Sequence, residues 1–263
     1  MSERVIVSIK DHVAEVTLNR ADKLNALDMP MIEALAAAAD RLAGERSVRA
    51  VVLQGAGKHF CTGIDLAVFS DPDLDFADAL KTPLDPSPAN VFQRAAYAWR
   101  ELPVPVICAL QGVAFGGGLQ VAIAADVRYA ASDVQLAIME AKWGIIPDMG
   151  LTTTLRHLLA PDHVKELAWT ARVIDSNEAL QLGLVTAVRD EPLAAARELA
   201  ASIAGQSPDA VRGIKRLVNR AWEMPEDRAL ALEARLQGGI IGGRNQREAV
   251  AANLAGRRPD FKD

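Results

Sequence analysis

The sequence has few cysteines, few aromatic residues and no excess of positive charge. Its 263 residues include two cysteines, four histidines and 5% aromatic residues. Because two cysteines, Cys61 and Cys108, form no disulfide framework, we expect a protein of a reducing compartment. The net charge of −5 gives no general attraction to nucleic acid or to an anionic membrane. We therefore expect neither of them as a partner.

Long uninterrupted hydrophobic runs are also lacking. The longest uncharged segment, residues 102–125, contains two prolines, two glutamines and three adjacent glycines. This pattern indicates a buried strand, a turn and the start of a helix rather than a bilayer span. Residues 1–11 carry charges where a signal peptide needs apolar residues. We expect a soluble cytoplasmic protein.

The first glycine-rich turn, residues 55–57, fits neither common nucleotide-binding motif. Phe60 stands where the dinucleotide fingerprint needs its third glycine, and His59 stands where a phosphate loop needs Ser or Thr. The four histidines lack the spacing of zinc ligands. The sequence therefore predicts no nucleotide cofactor and no metal.

The second glycine-rich turn, Gly116-Gly117-Gly118, follows a buried strand and precedes a helical pattern. Glycines at a helix N-terminus expose backbone N–H groups, and the helix dipole adds positive potential there. Such a turn suits an anion, or a carbonyl oxygen that becomes anionic during a reaction. A tight turn that needs glycine only for its backbone angles is the alternative.

Strand and helix patterns alternate over most of the chain, which predicts an α/β fold with largely parallel strands. Alternating residues at 4–9 and 13–18 predict an antiparallel hairpin. Continuous apolar runs at 49–54 and 104–110 predict strands that are covered on both faces. Residues 70–90, rich in Asp and Pro, predict a mobile loop.

Helical patterns alone follow residue 193. We predict a core over residues 1–200 and a helical C-terminal subdomain over residues 201–263. Four basic residues lie on one face of a predicted helix there, a pattern typical of a solvated face and less often of phosphate contacts: Arg212, Lys215, Arg216 and Arg220.

Two carboxylates lie in an apolar part of the sequence. Glu140 separates two apolar runs, where a carboxylate is paired, exposed at the end of an element or kept for chemistry. Asp148 precedes a helical pattern and, taken alone, is more typical of a residue at a helix entry.

Four motifs occur in order along the chain: Asn19-Arg20 with Asn25-Ala26-Leu27, residues 51–66, residues 111–119, and Glu140 with residues 144–148. Together they resemble the crotonase superfamily, the enoyl-CoA hydratase/isomerase family, from about residue 13 to the C-terminus. The resemblance implies an α/β fold, a crotonase-like spiral of ββα units with a helical C-terminal trimerisation region. It also implies an acyl-CoA thioester as substrate and self-association into a homotrimer, or a hexamer built from two trimers.

The resemblance assigns roles to residues of the site. The backbone N–H groups of Ile64 and Gly117 form the oxyanion hole for the thioester oxygen, and Glu140 is the catalytic glutamate. True hydratases of the family carry a second glutamate where this chain has Gln120, which can orient a water but cannot exchange a proton near neutral pH. Asp148 matches an acid that some isomerases of the superfamily use.

The resemblance also suggests binding residues. Lys23, Arg257, Arg258 and Lys262 are the candidates for contacts with the CoA moiety, although terminal basic residues are often merely solvated. Phe69, Met139 and Trp143 are candidates for the acyl pocket, with ordinary core or rim positions as the alternative. Cys61 lies near the first loop but lacks the surroundings of a nucleophile.

We therefore predict an enoyl-CoA double-bond isomerase with Glu140 as general base and Asp148 as second acid or orienting group. A single carboxylate can remove a proton from one carbon and return it to another, whereas hydration needs both a base and an acid. The first alternative is an enoyl-CoA hydratase. The second alternative is a non-catalytic family member that binds acyl-CoA, or that binds RNA through the basic helix face.

Overall fold

The structure is a computed structural model that describes residues 3–263. Its strands are β1 Val5–Lys10, β2 Val13–Leu18, β3 Ala50–Gly55, β4 Val106–Leu110, β5 Val113–Phe115, β6 Val127–Ala130, β7 Gln135–Ala137, β8 Ile174–Asp175 and β9 Ala187–Val188. Its helices are α1 Met29–Gly44, α2 Phe76–Lys81, α3 Val91–Glu101, α4 Gly117–Ile123, α5 Leu151–Leu155, α6 Pro161–Thr170, α7 Ser176–Gln181, α8 Pro192–Ala204, α9 Pro208–Ala221, α10 Glu226–Ile240 and α11 Arg244–Leu254.

Two sheets organise the first two hundred residues. The larger has the strand order β1-β2-β3-β4-β6-β9, in which only β1 and β2 pair antiparallel. The smaller has the order β5-β7-β8. The predicted hairpin and the two buried parallel strands are thereby confirmed. In parallel strands the carboxyl ends meet at one edge of the sheet, which is where loops bring distant segments together.

Helices cover both faces of the larger sheet, which explains the continuous apolar sequences of β3 and β4. The principal core includes residues of α1 and α3, such as Leu35 and Trp99. On the other face, Ala196 and Ala200 of α8 pack against Val52 and Ile107. Helix α8 thus belongs to the sheet and crosses residue 200, while the division into a core and a C-terminal subdomain stays a prediction.

Local signals explain where the helices begin. The carboxylate of Asp28 accepts a hydrogen bond from the N–H of Met31, as expected of the residue that caps α1. Within the predicted loop at 70–90, Asp75 caps the six-residue helix α2 in the same way. Residues 70–90 are therefore not loop throughout.

The basic face of α9 is only partly solvated, so this expectation was wrong for two of its four residues. Lys215 is buried, and its Nζ donates to the carbonyl oxygens of Trp99 and Val104. Nζ also forms an ion pair of 2.7 Å with Asp126. Arg212 donates to the carbonyl oxygen of Arg46. These contacts tie α9 to the core of the protein.

The chain has no helix, among residues 3–263, that is both long and apolar enough to cross a membrane.

Candidate active site

The site lies beyond the carboxyl end of β3, where Asn25 and Leu27 fix the first loop. Asn25 is buried in the left-handed conformation, with φ at 55°. Its Nδ2 donates to the carbonyl oxygens of Ala56 at 2.9 Å and His59 at 2.8 Å. The side-chain amide therefore holds the turn after β3 in place, which gives the Asn25-Ala26-Leu27 motif a structural reason.

Leu27 orients the amide of Ile64. The N–H of Leu27 donates to Gly63 and its carbonyl oxygen accepts from Asp65, which makes a parallel bridge between Leu27 and Ile64. In a bridge of this kind the residue between the two bonded neighbours directs its own N–H away from the partner strand. No acceptor for the Ile64 N–H occurs in the part of the chain that the structure describes. The Ile64 amide is therefore available to a ligand.

The second amide belongs to Gly117, the first residue of α4. N–H groups in the first turn of a helix have no partner within the helix. The two loops touch, because a Cβ built on Gly63 would lie 3.4 Å from the Gly117 nitrogen. A Cβ on Gly117 would lie only 2.8 Å from the Sδ of Met149. The arrangement thus places the loop that carries Ile64 against the Gly117 amide, and a side chain at position 117 would have to displace Met149.

Glu140 lies beside the same loop. A Cβ built on Gly116 would be 3.4 Å from its Oε1, and the side chain is buried. Oε1 accepts a hydrogen bond of 2.6 Å from Nε2 of Gln120. Oε2 is also buried, and no group among residues 3–263 hydrogen-bonds to it. One oxygen of the carboxyl is thus held, and the other is free to exchange a proton.

Burial raises the pKa of Glu140 above its ordinary value, and the negative charge of Asp148 adds to the increase. The hydrogen bond from Gln120 acts in the opposite direction. Burial also raises the pKa of Asp148. A raised pKa makes a carboxylate a stronger base, so Glu140 has the electrostatic surroundings of a proton-transfer group.

An apolar cavity of about 390 Å³ opens next to Ile64 and Asp148. Its walls are almost entirely hydrophobic and are formed by Ile64, Phe69, Phe76, Leu80, Phe92, Ile145, Ile146, Asp148 and Met149. Of the described residues that line this cavity, Asp148 alone carries a charged group. Helix α5 begins after Gly150 without a side-chain cap, so Asp148 does not act as the helix-entry residue that its position suggested.

Stacked aromatic rings form one side of the cavity. The ring of Phe76 lies 5.9 Å from that of Phe69 and 5.7 Å from that of Phe92, centroid to centroid. Of the predicted pocket residues, Phe69 lines the cavity, whereas Met139 and Trp143 do not. Met139 lies against Gly116 instead, and Trp143 is half exposed.

Sequence reasoning missed the other aromatic residues of this cavity. Phe76 lies in residues 70–90, whose sequence predicted a mobile loop and no pocket wall. Phe92 occupies a helix face whose apolar spacing indicates ordinary core.

The predicted CoA-binding residues fall into two places. Lys23 is exposed in a 3-10 turn, Ala21–Lys23, on the site side of the molecule. The C-terminal residues lie at the opposite end of β3, because Arg49, just before that strand, donates to the carbonyl oxygen of Phe261. Six strand residues separate the two ends by roughly 20 Å.

The C-terminal basic residues are engaged locally. Arg257 pairs with Glu248 and Lys262 with Asp260, while Arg258 is exposed. Within one chain the structure therefore does not bring Arg257, Arg258 and Lys262 together with Lys23.

Cys61 is a structural residue of the first loop. Its Sγ donates to the carbonyl oxygen of Asn25, and complete burial raises its pKa to about 12. A thiol this weakly acidic supplies no nucleophile near neutral pH. No group of three or more His, Cys, Asp or Glu side chains within residues 3–263 is arranged to hold a metal ion.

Comparison with known proteins adds to this geometry. The family model described as enoyl-CoA hydratase/isomerase matches residues 8–263. A short-chain-enoyl-CoA hydratase of Clostridium acetobutylicum is 32% identical over 97% of this chain and 95% of its own length. A peroxisomal Delta(3,5)-Delta(2,4)-dienoyl-CoA isomerase of Arabidopsis thaliana is 31% identical over 95% of this chain and 92% of its own.

A solved structure shares the whole fold. The crystal structure of an enoyl-CoA hydratase from Bacillus anthracis superposes with a TM-score of 0.87 at 30% identity, covering 98% of this chain and 99% of that one. The predicted fold, an α/β core with parallel strands followed by C-terminal helices, is thereby confirmed.

Proposed function

The chain belongs to the enoyl-CoA hydratase/isomerase family, and we propose that it moves the double bond of an enoyl-CoA thioester between the β,γ and α,β positions. One observation carries the proposal. The buried carboxyl of Glu140 has its Oε1 beside Gly116, and its Oε2 has no hydrogen-bond partner among residues 3–263. The neighbouring residues Ile64 and Gly117 offer two backbone N–H groups. This is the pairing of base and oxyanion donors that enolate chemistry needs.

The reaction follows from these groups. Ionised Glu140 removes a proton from C2 of a 3-enoyl thioester, and the electron pair moves onto the thioester oxygen. The N–H groups of Ile64 and Gly117 stabilise that oxygen as it becomes negative. Electrons then return, a C2=C3 double bond forms, and the same carboxyl gives its proton to C4. Atoms and charge balance without a cofactor.

The acyl tail would occupy the apolar cavity. Its wall offers aromatic rings and aliphatic side chains, and both Ile64 and Asp148 belong to that wall. Such a cavity favours an unsubstituted hydrocarbon tail over a polar one, because a polar group would lose its hydrogen bonds to water. Asp148 serves in this proposal as a second acid or an orienting group near the reacting carbons.

Hydration of a 2-enoyl-CoA is the second candidate, and the presence of two carboxyl groups with raised pKa favours it. Glu140 and Asp148 together could supply the base for water and the acid for C2. Against it stands Gln120, which replaces a second glutamate with a group that cannot exchange a proton.

We also propose that Lys23 contacts the phosphates of CoA and that the protein forms a homotrimer or a pair of trimers. Arg257, Arg258 and Lys262 lie too far from Lys23 in one chain to share its ligand. They would reach the CoA moiety only from another subunit.

Parallel assays test the proposal. Purified protein is given a 3-enoyl-CoA and a 2-enoyl-CoA of equal chain length, and isomerisation and hydration are followed separately. We expect isomerisation to be the faster reaction. Faster hydration would replace it by the hydratase alternative, and binding without turnover of either substrate would indicate a non-catalytic member of the family.

A further inference from the structure

Gln120 makes hydrogen bonds at both ends of its side-chain amide. Its Oε1 accepts from the N–H of Met149 at 2.9 Å, and its Nε2 donates to Oε1 of Glu140 at 2.6 Å. The side chain is almost fully buried, with 1% exposure. A buried amide with both ends bonded is fixed in place, since losing either bond would leave a polar group without a partner.

The chemistry of the partners also fixes which end of the amide faces Glu140. A backbone N–H can only donate, so it must meet the oxygen of Gln120. The NH2 group then faces the carboxylate. The reverse orientation would place two donors against each other and an oxygen against a carboxylate. Gln120 is therefore a donor to Glu140 and holds its Oε1, which leaves Oε2 as the oxygen that exchanges the proton.

The side-chain amide of Gln120 also contacts the backbone next to Asp148, the second acid of the site. Met149 is the residue after Asp148, so the N–H that Gln120 accepts belongs to the peptide bond joining these two residues. Gln120 itself lies one helical turn after Gly116, whose carbonyl oxygen accepts the Gln120 N–H. The first turn of α4, which begins with the Gly117 amide, thus also carries Gln120, the side chain that contacts both Glu140 and the Asp148–Met149 peptide.

We propose that Gln120 is a positioning residue, which links Glu140 and the Asp148–Met149 peptide in one hydrogen-bonded chain and so fixes the carboxyl group of Glu140 and the backbone at Asp148 relative to the Gly117 amide. This inference rests on the proposed function of the site. It assigns Gln120 a role different from holding a water. It also explains how the site keeps Glu140 in place although a neutral residue stands where hydratases carry a second acid.

The charged surroundings make the role measurable. Helix α4 has the sequence GGLQVAI and carries no ionisable side chain, and Asp148 is the charged group that acts on Glu140. Removing the Gln120 donor should therefore raise the pKa of Glu140, because a hydrogen bond to the ionised form favours that form. A glutamate at position 120 should raise it as well, through like-charge repulsion.

The test compares Gln120→Leu and Gln120→Glu with the parent protein. Gln54→Leu is the matched control, because Nε2 of Gln54 also donates to a glutamate, Glu15, but outside the site. The pKa of Glu140 is followed by 13C NMR of labelled glutamate, with Glu140→Gln used to assign its signal, and kcat and KM for a 3-enoyl-CoA are measured over pH. Circular dichroism establishes that each variant is folded.

We expect both Gln120 variants to raise the Glu140 pKa and to move the acid limb of the pH profile upward. In Gln120→Leu, kcat should fall about 10²-fold, the typical cost of a small misplacement of a catalytic group, with little change in KM. Gln54→Leu should change neither quantity. An unchanged Glu140 pKa and kcat in a folded Gln120 variant would overturn the proposal, and so would failure of both variants to fold, because that indicates a structural role alone.

The NMR measurement separates this inference from the proposed function. A parent protein that turns over no enoyl-CoA refutes the proposed reaction. The pKa of Glu140 in the Gln120 variants is measured without substrate, so it tests the positioning role whether or not the parent protein is active.

Discussion

Gly63 lies directly against the amide nitrogen of Gly117. A Cβ built on Gly63 would be 3.4 Å from that nitrogen and 2.7 Å from the carbonyl oxygen of Phe115. This contact joins the loop after β3 to the first turn of α4, two segments that are more than 50 residues apart in the sequence. The two amides of the proposed oxyanion hole depend on it, because neither loop positions both N–H groups alone.

Gly63→Ala should therefore damage both the site and the fold. The φ of Gly63 is +93°, a conformation that strains alanine, and the contact with Phe115 is with backbone that cannot rotate away. We expect kcat to fall about 10²–10³-fold, the usual loss for one oxyanion donor. The free energy of unfolding should fall by about 1–3 kcal/mol. Steady-state kinetics and urea unfolding measure the two effects.

Gly238→Ala is the control for that substitution. Gly238 lies in α10, and a Cβ there would meet no atom within 4 Å. It should leave kcat unchanged and raise stability by about 0.5–1 kcal/mol. Equal losses of activity in the two alanine variants would argue against a special role of the Gly63–Gly117 contact.

The pH dependence should respond to Asp148. The reaction needs ionised Glu140, so kcat/KM should rise with pH through the raised pKa of that group. Asp148 contributes to the increase by like-charge repulsion. Removing its charge in Asp148→Asn should lower the pKa of Glu140 and move the acid limb to lower pH. The control is Asp133→Asn, which removes an exposed carboxylate and should leave the acid limb at the same pH as in the parent protein. An acid limb that moves upward in Asp148→Asn would contradict the electrostatic account.

The acyl cavity should determine chain-length preference. Phe76 stands between Phe69 and Phe92, so Phe76→Trp should shorten the space available to the tail. We expect the ratio of kcat/KM for a long to a short 3-enoyl-CoA to fall about tenfold or more, since a single methylene in an apolar pocket is worth 10–200-fold. Trp143→Ala, outside the cavity, should leave the ratio unchanged. A changed ratio in Trp143→Ala, with an unchanged ratio in Phe76→Trp, would indicate that the acyl tail binds near Trp143 and not in this cavity.

Periodicity in the sequence predicted the elements that are long and regular. The β1–β2 hairpin, β3 and α1 carry their signals in short continuous segments. These signals are alternation in the hairpin, continuous burial in β3, and Asp28 as a cap of α1. The β8 strand, with two residues, is too short for any period to be visible, and it exists because it pairs with β7. Such elements depend on contacts between distant segments.

The candidate site divides in the same way. Glycine turns and a carboxylate in an apolar run are local signals that made Gly117 and Glu140 candidates with structural alternatives, and the resemblance of the four motifs assigned their roles. The contact between Gln120 and Met149 joins residues 29 positions apart, and the buried Lys215 faces carbonyl groups more than 100 positions away. Composition and residue spacing do not predict contacts between residues so far apart in the sequence, so these contacts are visible only in the folded structure.

The most direct test of the central claim is the rate of 3-enoyl-CoA isomerisation by Glu140→Gln at neutral pH. Glutamine preserves the size of the side chain but cannot accept and return a proton. The account predicts a fall in kcat of about 10²–10⁴-fold with a folded protein and acyl-CoA binding retained, while Glu15→Gln on β2 keeps the parent rate. An isomerisation rate in Glu140→Gln equal to that of the parent would contradict the claim that Glu140 moves the proton.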